Sequence, residues 1–492
     1  MLPAGSPCIS RCRAGPRSFP SVRLSDPSPR PRSGSADPPS SESAGDPIVR
    51  FPRSQPVPGG RLGGAAILLS LLVLLPFSVE ARQQFHGGLD PRIQEILGEV
   101  DPDRLQDIVE HLVSFGSRST LSSTDHPTWG IGAAREWIRE EMASYSPRLQ
   151  VSFDSYVVEP EGRITRTTDL RNVKAILPGR SPRRIYVTGH YDSVVYGDQG
   201  VEVPEAPTGD PLDSYAPGAN DDASGTALLM ELARIFAQSG LEFDATLVFM
   251  AIAGEEQGLV GARLHAERVA AEGMEITAIF NNDIVGNGTG GNGLQDTRTV
   301  RVFSEGPEDS LSRQLARYIR RHASRYVPGH DVRLIAREDR FGRGGDHTPF
   351  NREGYAAVRF TESRENYRRQ HTVFDTPDGI DPQYLARNAR VNAAPLATLA
   401  LAPAAPGVDF RMLGRGEGYD AHLRWEPSEG AVAYRIFWRE AWGMDWEHEL
   451  QVGDVTEFTL HDISIDDYHF GVAAVGPDGH ESLVSVYVRP PR

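Results

Sequence analysis

Thr246-Leu247-Val248-Phe249-Met250-Ala251 runs on through Ile252 into Ala253-Gly254-Glu255-Glu256-Gln257-Gly258-Leu259-Val260-Gly261. A short apolar run bounded by glycine reads as a buried strand, and this one delivers two consecutive carboxylates into a Gly-flanked turn. Acids left unpaired at the edge of a sheet cost several kcal/mol, so the pair needs a compensating charge. Cations supply it. With the two side chains diverging, one carboxylate can ligate a metal while its neighbour accepts a proton from an activated water. Taken alone the motif also fits a solvated loop.

The same design recurs outward from this point. Ile279-Phe280-Asn281-Asn282-Asp283 is another apolar run ending in a carboxylate, and Tyr186-Val187-Thr188-Gly189-His190-Tyr191-Asp192-Ser193 is one ending in His-x-Asp. In open α/β sheets, binding groups sit outside the carboxyl ends of strands, which places His190 there with Asp192 able to orient its ring. Pro217-Gly218-Ala219-Asn220-Asp221-Asp222-Ala223 stands before a helical segment, where its acids fit either an N-cap or a carboxylate bridging two cations. Gln370-His371-Thr372-Val373-Phe374-Asp375 adds a second histidine, with Asp375 a possible orienter. Each piece is bland by itself. Together they form a His/Asp/Glu set without sulfur, which suits zinc or another divalent ion.

The spacing between these motifs predicts the fold. Apolar positions from Asp90 to Ser144 follow helical periodicity, and from Ser152 short strands alternate with helices. Strands are expected at Ile185 to Thr188, Thr246 to Ala251, Ile276 to Phe280, Val300 to Phe303 and Ala356 to Phe360. Helices are expected at Ala223 to Ala237, Ala262 to Ala271, Leu311 to Tyr326 and Pro382 to Leu401. This pattern predicts an α/β domain with a mixed central sheet flanked by helices, over residues 82–402. Residues 403–407 read as a linker and 408–492 as a small all-β sandwich. Between Asp192 and Asp221, the acidic, Pro-rich stretch Gly197 to Asp213 reads as an inserted loop that borders the cleft or decorates it.

Residues 1–81 are expected to be a disordered leader and signal peptide. From Ala65 to Val79 the chain is apolar but interrupted by Pro76, too short for the roughly 20 residues of a spanning helix. Export to the periplasm or medium is expected, without stable membrane insertion after cleavage. No Met occurs between Met1 and Met142, so translation is expected to start near the apolar run, at a codon such as that of Val49 or Val57. The two cysteines, Cys8 and Cys12, both lie in the leader, which excludes thiolate metal sites and cysteine nucleophiles from the rest. A formal net charge of -16 argues against a nucleic-acid partner.

The ordered set His190, Asp221, Glu255-Glu256, Asp283 and His371 resembles the co-catalytic zinc exopeptidases that include bacterial leucyl-type aminopeptidases and the glutamate carboxypeptidases. The resemblance spans roughly residues 90 to 402. It implies two zinc ions per chain, one held by His190 and Asp283, the other by Glu256 and His371, with Asp221 bridging. It further implies Glu255 as general base, Asp192 as partner of His190, a cis Asp221-Asp222 peptide, and a peptide substrate. Several relatives carry a Tyr before the final histidine, where this chain has Gln370, so no oxyanion donor is assigned. An aminopeptidase is the leading expectation, because the chain lacks a large dimerisation insert. Arg340, Arg343, Arg364, Arg368 and Arg369 keep a carboxypeptidase open. A glutaminyl cyclase and a non-catalytic binder are the further alternatives. The segments Leu423-Arg424-Trp425 and Tyr468 to Val475 resemble a fibronectin type III module, expected to act as spacer or packing element.

Overall fold

Asp90 and Asp101 each place a carboxylate oxygen on backbone N–H groups of the turn that follows, and each precedes a proline that starts a helix. In a computed structural model that describes residues 88–197, 200–411, 413 and 419–488, these caps open α1 (Pro91–Gly98) and α2 (Pro102–Ser114). The expected leader, the apolar run Ala65 to Val79 and both cysteines lie outside the described residues. A loop then separates α2 from α3 (Ile131–Tyr145), so the helical lead-in is three helices.

An antiparallel hairpin follows, β1 (Gln150–Val158) and β2 (Thr168–Leu177), which the sequence pattern does not single out. After it come β3 (Arg184–His190), α4 (Ser224–Gln238), β4 (Thr246–Ile252), α5 (Val260–Ala271), β5 (Ile276–Asn282) and β6 (Thr299–Ser304). The domain closes with α6 (Leu311–Tyr326), β7 (Asp331–Ile335), α7 (His347–Arg352), β8 (Ala357–Glu362) and α8 (Pro382–Leu401). The eight strands form one sheet in the order β1-β2-β4-β3-β5-β8-β6-β7. Within it β4, β3, β5 and β8 are parallel neighbours, while β2 and β6 run antiparallel on either side. This is the mixed sheet expected.

Alternation along β4 shows how one apolar run serves two layers. Leu247, Phe249 and Ala251 enter the larger core, with α1 to α4, α6 and α8. Val248, Met250 and Ile252 enter a smaller core, with α5 and Phe350 of α7. The carboxyl ends of β3, β4, β5 and β8 therefore share one edge, covered on both faces by helices.

Beyond α8 lie β9 (Asp420–Arg424), β10 (Ala433–Glu440), β11 (His448–Val452), β12 (Glu457–His461), β13 (Tyr468–Val475) and β14 (Ser485–Val486). They form two antiparallel sheets, β11-β10-β13-β14 and β12-β9, around a core that includes Trp425, Tyr434, Ile436, Phe470 and Val472. These sheets pack on α6 through charge. Glu481 meets His322 at 3.2 Å, Arg321 at 2.9 Å and Arg435 at 3.2 Å, the Tyr318 hydroxyl donates to its carbonyl, and Arg439 pairs with Asp309 at 3.0 Å.

Burial works to raise the Glu481 carboxyl, but the His322 hydrogen bond and the two guanidiniums bring it down to about 2. Burial also holds His322 below its ordinary value of 6.5. Both groups bind protons more weakly folded than unfolded, so stability is present above the unfolded values and drains as pH falls from about 6.5 towards 2. Glu481→Ala leaves the part-buried Arg321 and Arg435 guanidiniums without their partner and is expected to cost about 1.5–3 kcal/mol in urea unfolding at pH 7. A loss below about 1 kcal/mol contradicts a structural role for this contact.

Candidate metal centre

The chain ends of the parallel strands converge. His190 is the last residue of β3, Glu255 and Glu256 follow β4, and Asp283 follows β5. Asp221 comes from the segment before α4, where the backbone leaves helical geometry at Asp221 and Asp222 and their shared peptide is cis. His371 arrives from the loop before α8 with a positive φ of 58°.

Asp221 stands at the middle. Its Oδ1 lies 3.2 Å from His190 Nε2 and its Oδ2 lies 2.9 Å from His371 Nε2. On the first side Asp283 Oδ1 lies 3.8 Å from His190 Nε2, and on the second Glu256 Oε1 lies 3.3 Å from His371 Nε2. Glu255 joins His190 and Asp283 closely enough for the three to face one ion, as do His190, Asp221 and Glu256. All the site residues singled out in the sequence are thus brought to one place.

A hydrogen-bonded frame holds them. His190 Nδ1 lies 3.1 Å from the Asp192 carbonyl and 3.6 Å from its carboxylate. That carboxylate also accepts the backbone N–H of Glu255 and of Glu256 at 3.2 Å each, and the Thr120 hydroxyl. Asp192 therefore ties the histidine to the double-glutamate turn. Asp375 accepts the backbone N–H groups of Asn220 and Asp221, so it orients the Asp221 loop and not the His371 ring.

Other members of the frame, Asp222 apart, carry no sequence signature. Asp222 is fully buried and accepts N–H groups from His190, Gly225 and Ile284, linking three segments of the site. Glu362, at the end of β8, accepts from the Asn220 amide and the Asn287 backbone. Arg359 places Nη2 2.8 Å from Asp283 Oδ1; burial alone would raise the Asp283 carboxyl, and this guanidinium holds it below its ordinary range. Gly225 lets α4 start against β5: a Cβ there would sit 2.2 Å from the Asn282 carbonyl oxygen.

Arg118 is the most connected of these. Fully buried, it donates to the carbonyls of Leu112, Tyr191, Pro217 and Gly218, gripping the residue after His190 and the approach to Asp221. Burial lowers its guanidinium to about 10, still charged at neutral pH. Arg118→Ala orphans four carbonyls and is expected to destabilise by at least about 3 kcal/mol and to lower zinc content with it. Unchanged melting and metal content contradict that role.

The charge balance asks for cations. Burial pushes Glu255 well above the usual carboxylate range, reinforced by Glu256 and Asp283, and pushes Glu256 up to about 7, Asp375 up to about 7 and Asp346 up to about 8. His190 Nε2 and Glu256 Oε1 are buried and face the centre, each close to a charged group but neither in a well-aligned hydrogen bond. A crowd of buried acids with an imidazole nitrogen and a carboxylate oxygen left over is the donor set of a zinc site. The residues fit the metal.

The sequence model of peptidase family M28 matches residues 172–395. A probable zinc metalloprotease of Pyricularia oryzae is 40% identical over 437 residues, covering 80% of this chain and 84% of that protein. One from Leptosphaeria maculans is 39% identical over 433 residues, covering 80% and 96%. The chain belongs to peptidase family M28, a family of zinc metalloproteases. In fold it is similar to LapA of Legionella pneumophila, with a TM-score of 0.50 and 21% identity over 64% of this chain and 78% of that one.

Proposed function

We propose that the protein is an exported aminopeptidase working with two zinc ions, with Glu255 as general base. The observation that carries the reading is Asp221, whose two carboxylate oxygens face His190 and His371 separately. His190 and Asp283 would hold one ion, Glu256 and His371 the other, and Asp221 both. When bound, the zinc pair lowers the pKa of water and polarises the scissile carbonyl. Glu255 takes the proton from that water and returns it to the leaving amine. Arg359 keeps Asp283 charged, and Asp192 fixes the turn that aims Glu255.

Preference for the amino end rests on how the arginines near the site are used. Arg340 is buried against Asp339 and Glu365, Arg369 pairs with Asp378, and Arg343 donates to Gln370. Each is already occupied, which leaves these three poorly placed to receive a substrate carboxylate, while the exposed Arg364 and Arg368 are what a carboxypeptidase would have to use. Gln370, in turn, donates to Asp221 Oδ2 at 3.0 Å. Among the described residues no helix is long and apolar enough to cross a membrane.

A panel of aminoacyl reporters and N-blocked peptides, with and without chelator, tests this. Hydrolysis of free-amine substrates only, abolished by chelation, is the expected result. Cleavage restricted to the C-terminus of blocked peptides replaces the reading with a carboxypeptidase, and cyclisation of N-terminal glutamine replaces it with a glutaminyl cyclase.

A further inference from the structure

A hollow of about 380 Å³ lies where the connection from β5 to β6 meets the loop that follows β8, lined by Arg301, Arg364, Glu365 and Arg368 and by the turn at 290–292. That volume is in the range of ligand sites. Among these four charged side chains the one acid, Glu365, is already spent, with its oxygens 2.6 Å from Arg301, 3.1 Å from Arg340 and 3.8 Å from Arg343. Arg364 and Arg368 are exposed and make no ion pair among the described residues. Asp296 feels Arg364 from beyond contact, but its own partner is Arg333 at 3.5 Å. A chain with a formal net charge of -16 thus keeps a local surplus of positive charge here.

The backbone that carries these guanidiniums is held from several sides. A Cβ on Gly291 would sit 2.7 Å from Asn366 Oδ1 and 2.9 Å from Arg368 Cγ, so the turn lies close against the loop. Asn366 Oδ1 accepts the Arg368 backbone N–H at 3.2 Å, the Asn366 N–H donates to Glu362 at 3.3 Å, and the Ser363 hydroxyl donates to the Asp296 carbonyl. The same loop runs on to Gln370 and His371. Glu365 separates the hollow from the metal centre, since it also lines the narrow space beside Asp221, which has room for about 10 Å³, about one water. On this flank of Asp221 the first room for a carboxylate is therefore beyond Glu365.

We propose that this hollow binds the free C-terminal carboxylate of a short peptide whose scissile bond lies at the metal centre, with Arg364 and Arg368 as its partners. This rests on the peptidase reading above and deepens it. Guanidinium groups meet a carboxylate with paired N–H donors, and such charge-assisted hydrogen bonds are roughly twice as strong as neutral ones. Because the carboxylate is held past Glu365 and not against Asp221, the peptide has to span the loop, at about 3.3 Å per extended residue. The hollow therefore selects chain length.

Two measurements on the full chain separate this proposal from the peptidase reading. In the first, alanine peptides of increasing length are offered to the zinc-loaded protein as free acids and as C-terminal amides. At one length kcat/KM for the acid is expected to exceed that for the amide by about tenfold or more, and Arg364→Gln combined with Arg368→Gln to bring that ratio to about twofold or less. In the second, the Glu255→Gln protein, in which peptides persist, is treated with phenylglyoxal, and modification of Arg364 and Arg368 is mapped by peptide mass spectrometry. The free acids are expected to slow it at concentrations where the amides have no effect. Protection by the acids without turnover in the parent protein upholds the hollow and counts against the peptidase reading, whereas release of the last residue of the same acids upholds it in a carboxypeptidase. Turnover with acid and amide alike at every length overturns the hollow, as does equal protection by amides or by inorganic phosphate. An amide with an internal glutamate that protects as well as the free acid overturns the terminal assignment.

Discussion

Glu255→Gln is expected to keep the full complement of bound zinc while kcat falls by about 10³-fold. The amide preserves shape and the backbone N–H bond to Asp192, but it cannot accept a proton. General bases contribute about 10²–10⁴-fold, and a buried site offers no second base of the same placement. KM is expected to change little, since the substitution removes an interaction made in the transition state. Elemental analysis beside steady-state kinetics checks both halves. Loss of metal with activity would reassign Glu255 as a ligand, and near-normal turnover would remove it from the chemistry.

Asp221→Ala is expected to act differently, abolishing activity and zinc retention together. One carboxylate faces both histidines, so its removal strips a donor from each half of the site. The metal-free variant is expected to melt below the metal-free parent, because His190 and His371, against the raising effect of burial, hold the Asp221 carboxyl well below its ordinary range and lose their partner with it. Beyond that it loses the zinc-dependent gain: about 2.7 kcal/mol for one site at a hundredfold excess over Kd. Thermal melts of both proteins, stripped and reloaded, check this. A variant that still gains stability with zinc contradicts the bridging position of Asp221.

The catalytic fold was legible wherever a residue sat in a repeating local pattern. Short apolar runs announced β3, β4 and β5, and the residues that end or follow them, His190, Glu255-Glu256 and Asp283, stood out because such runs seldom end in charged or titratable groups. The β1-β2 hairpin was not singled out, because β1 at the sheet edge alternates exposed with part-buried positions and the buried residue in its middle is an acid, Asp154. The supporting frame was illegible for a different reason. Arg118, Arg359 and Glu362 act mainly through partners tens to more than a hundred residues away in the chain, and nothing in their own neighbourhoods marks them; Asp222 stood in a quoted motif, but its hold on His190 and Ile284 is equally distant. For Asp375 the local guess, that it orients His371, gave way to a distant partner, the Asn220-Asp221 backbone. The insertion looked like decoration or border by composition alone; only the packing of Asp213 against Ser123 and Trp129 shows it walling the cleft.

The most direct test of the account is to count and place the metal. Crystals grown with zinc, measured at the zinc absorption edge, are expected to show two anomalous peaks per chain, one on each oxygen of Asp221, the first also facing His190 and Asp283 and the second Glu256 and His371. A single peak, or two peaks that do not share Asp221, contradicts the co-catalytic centre.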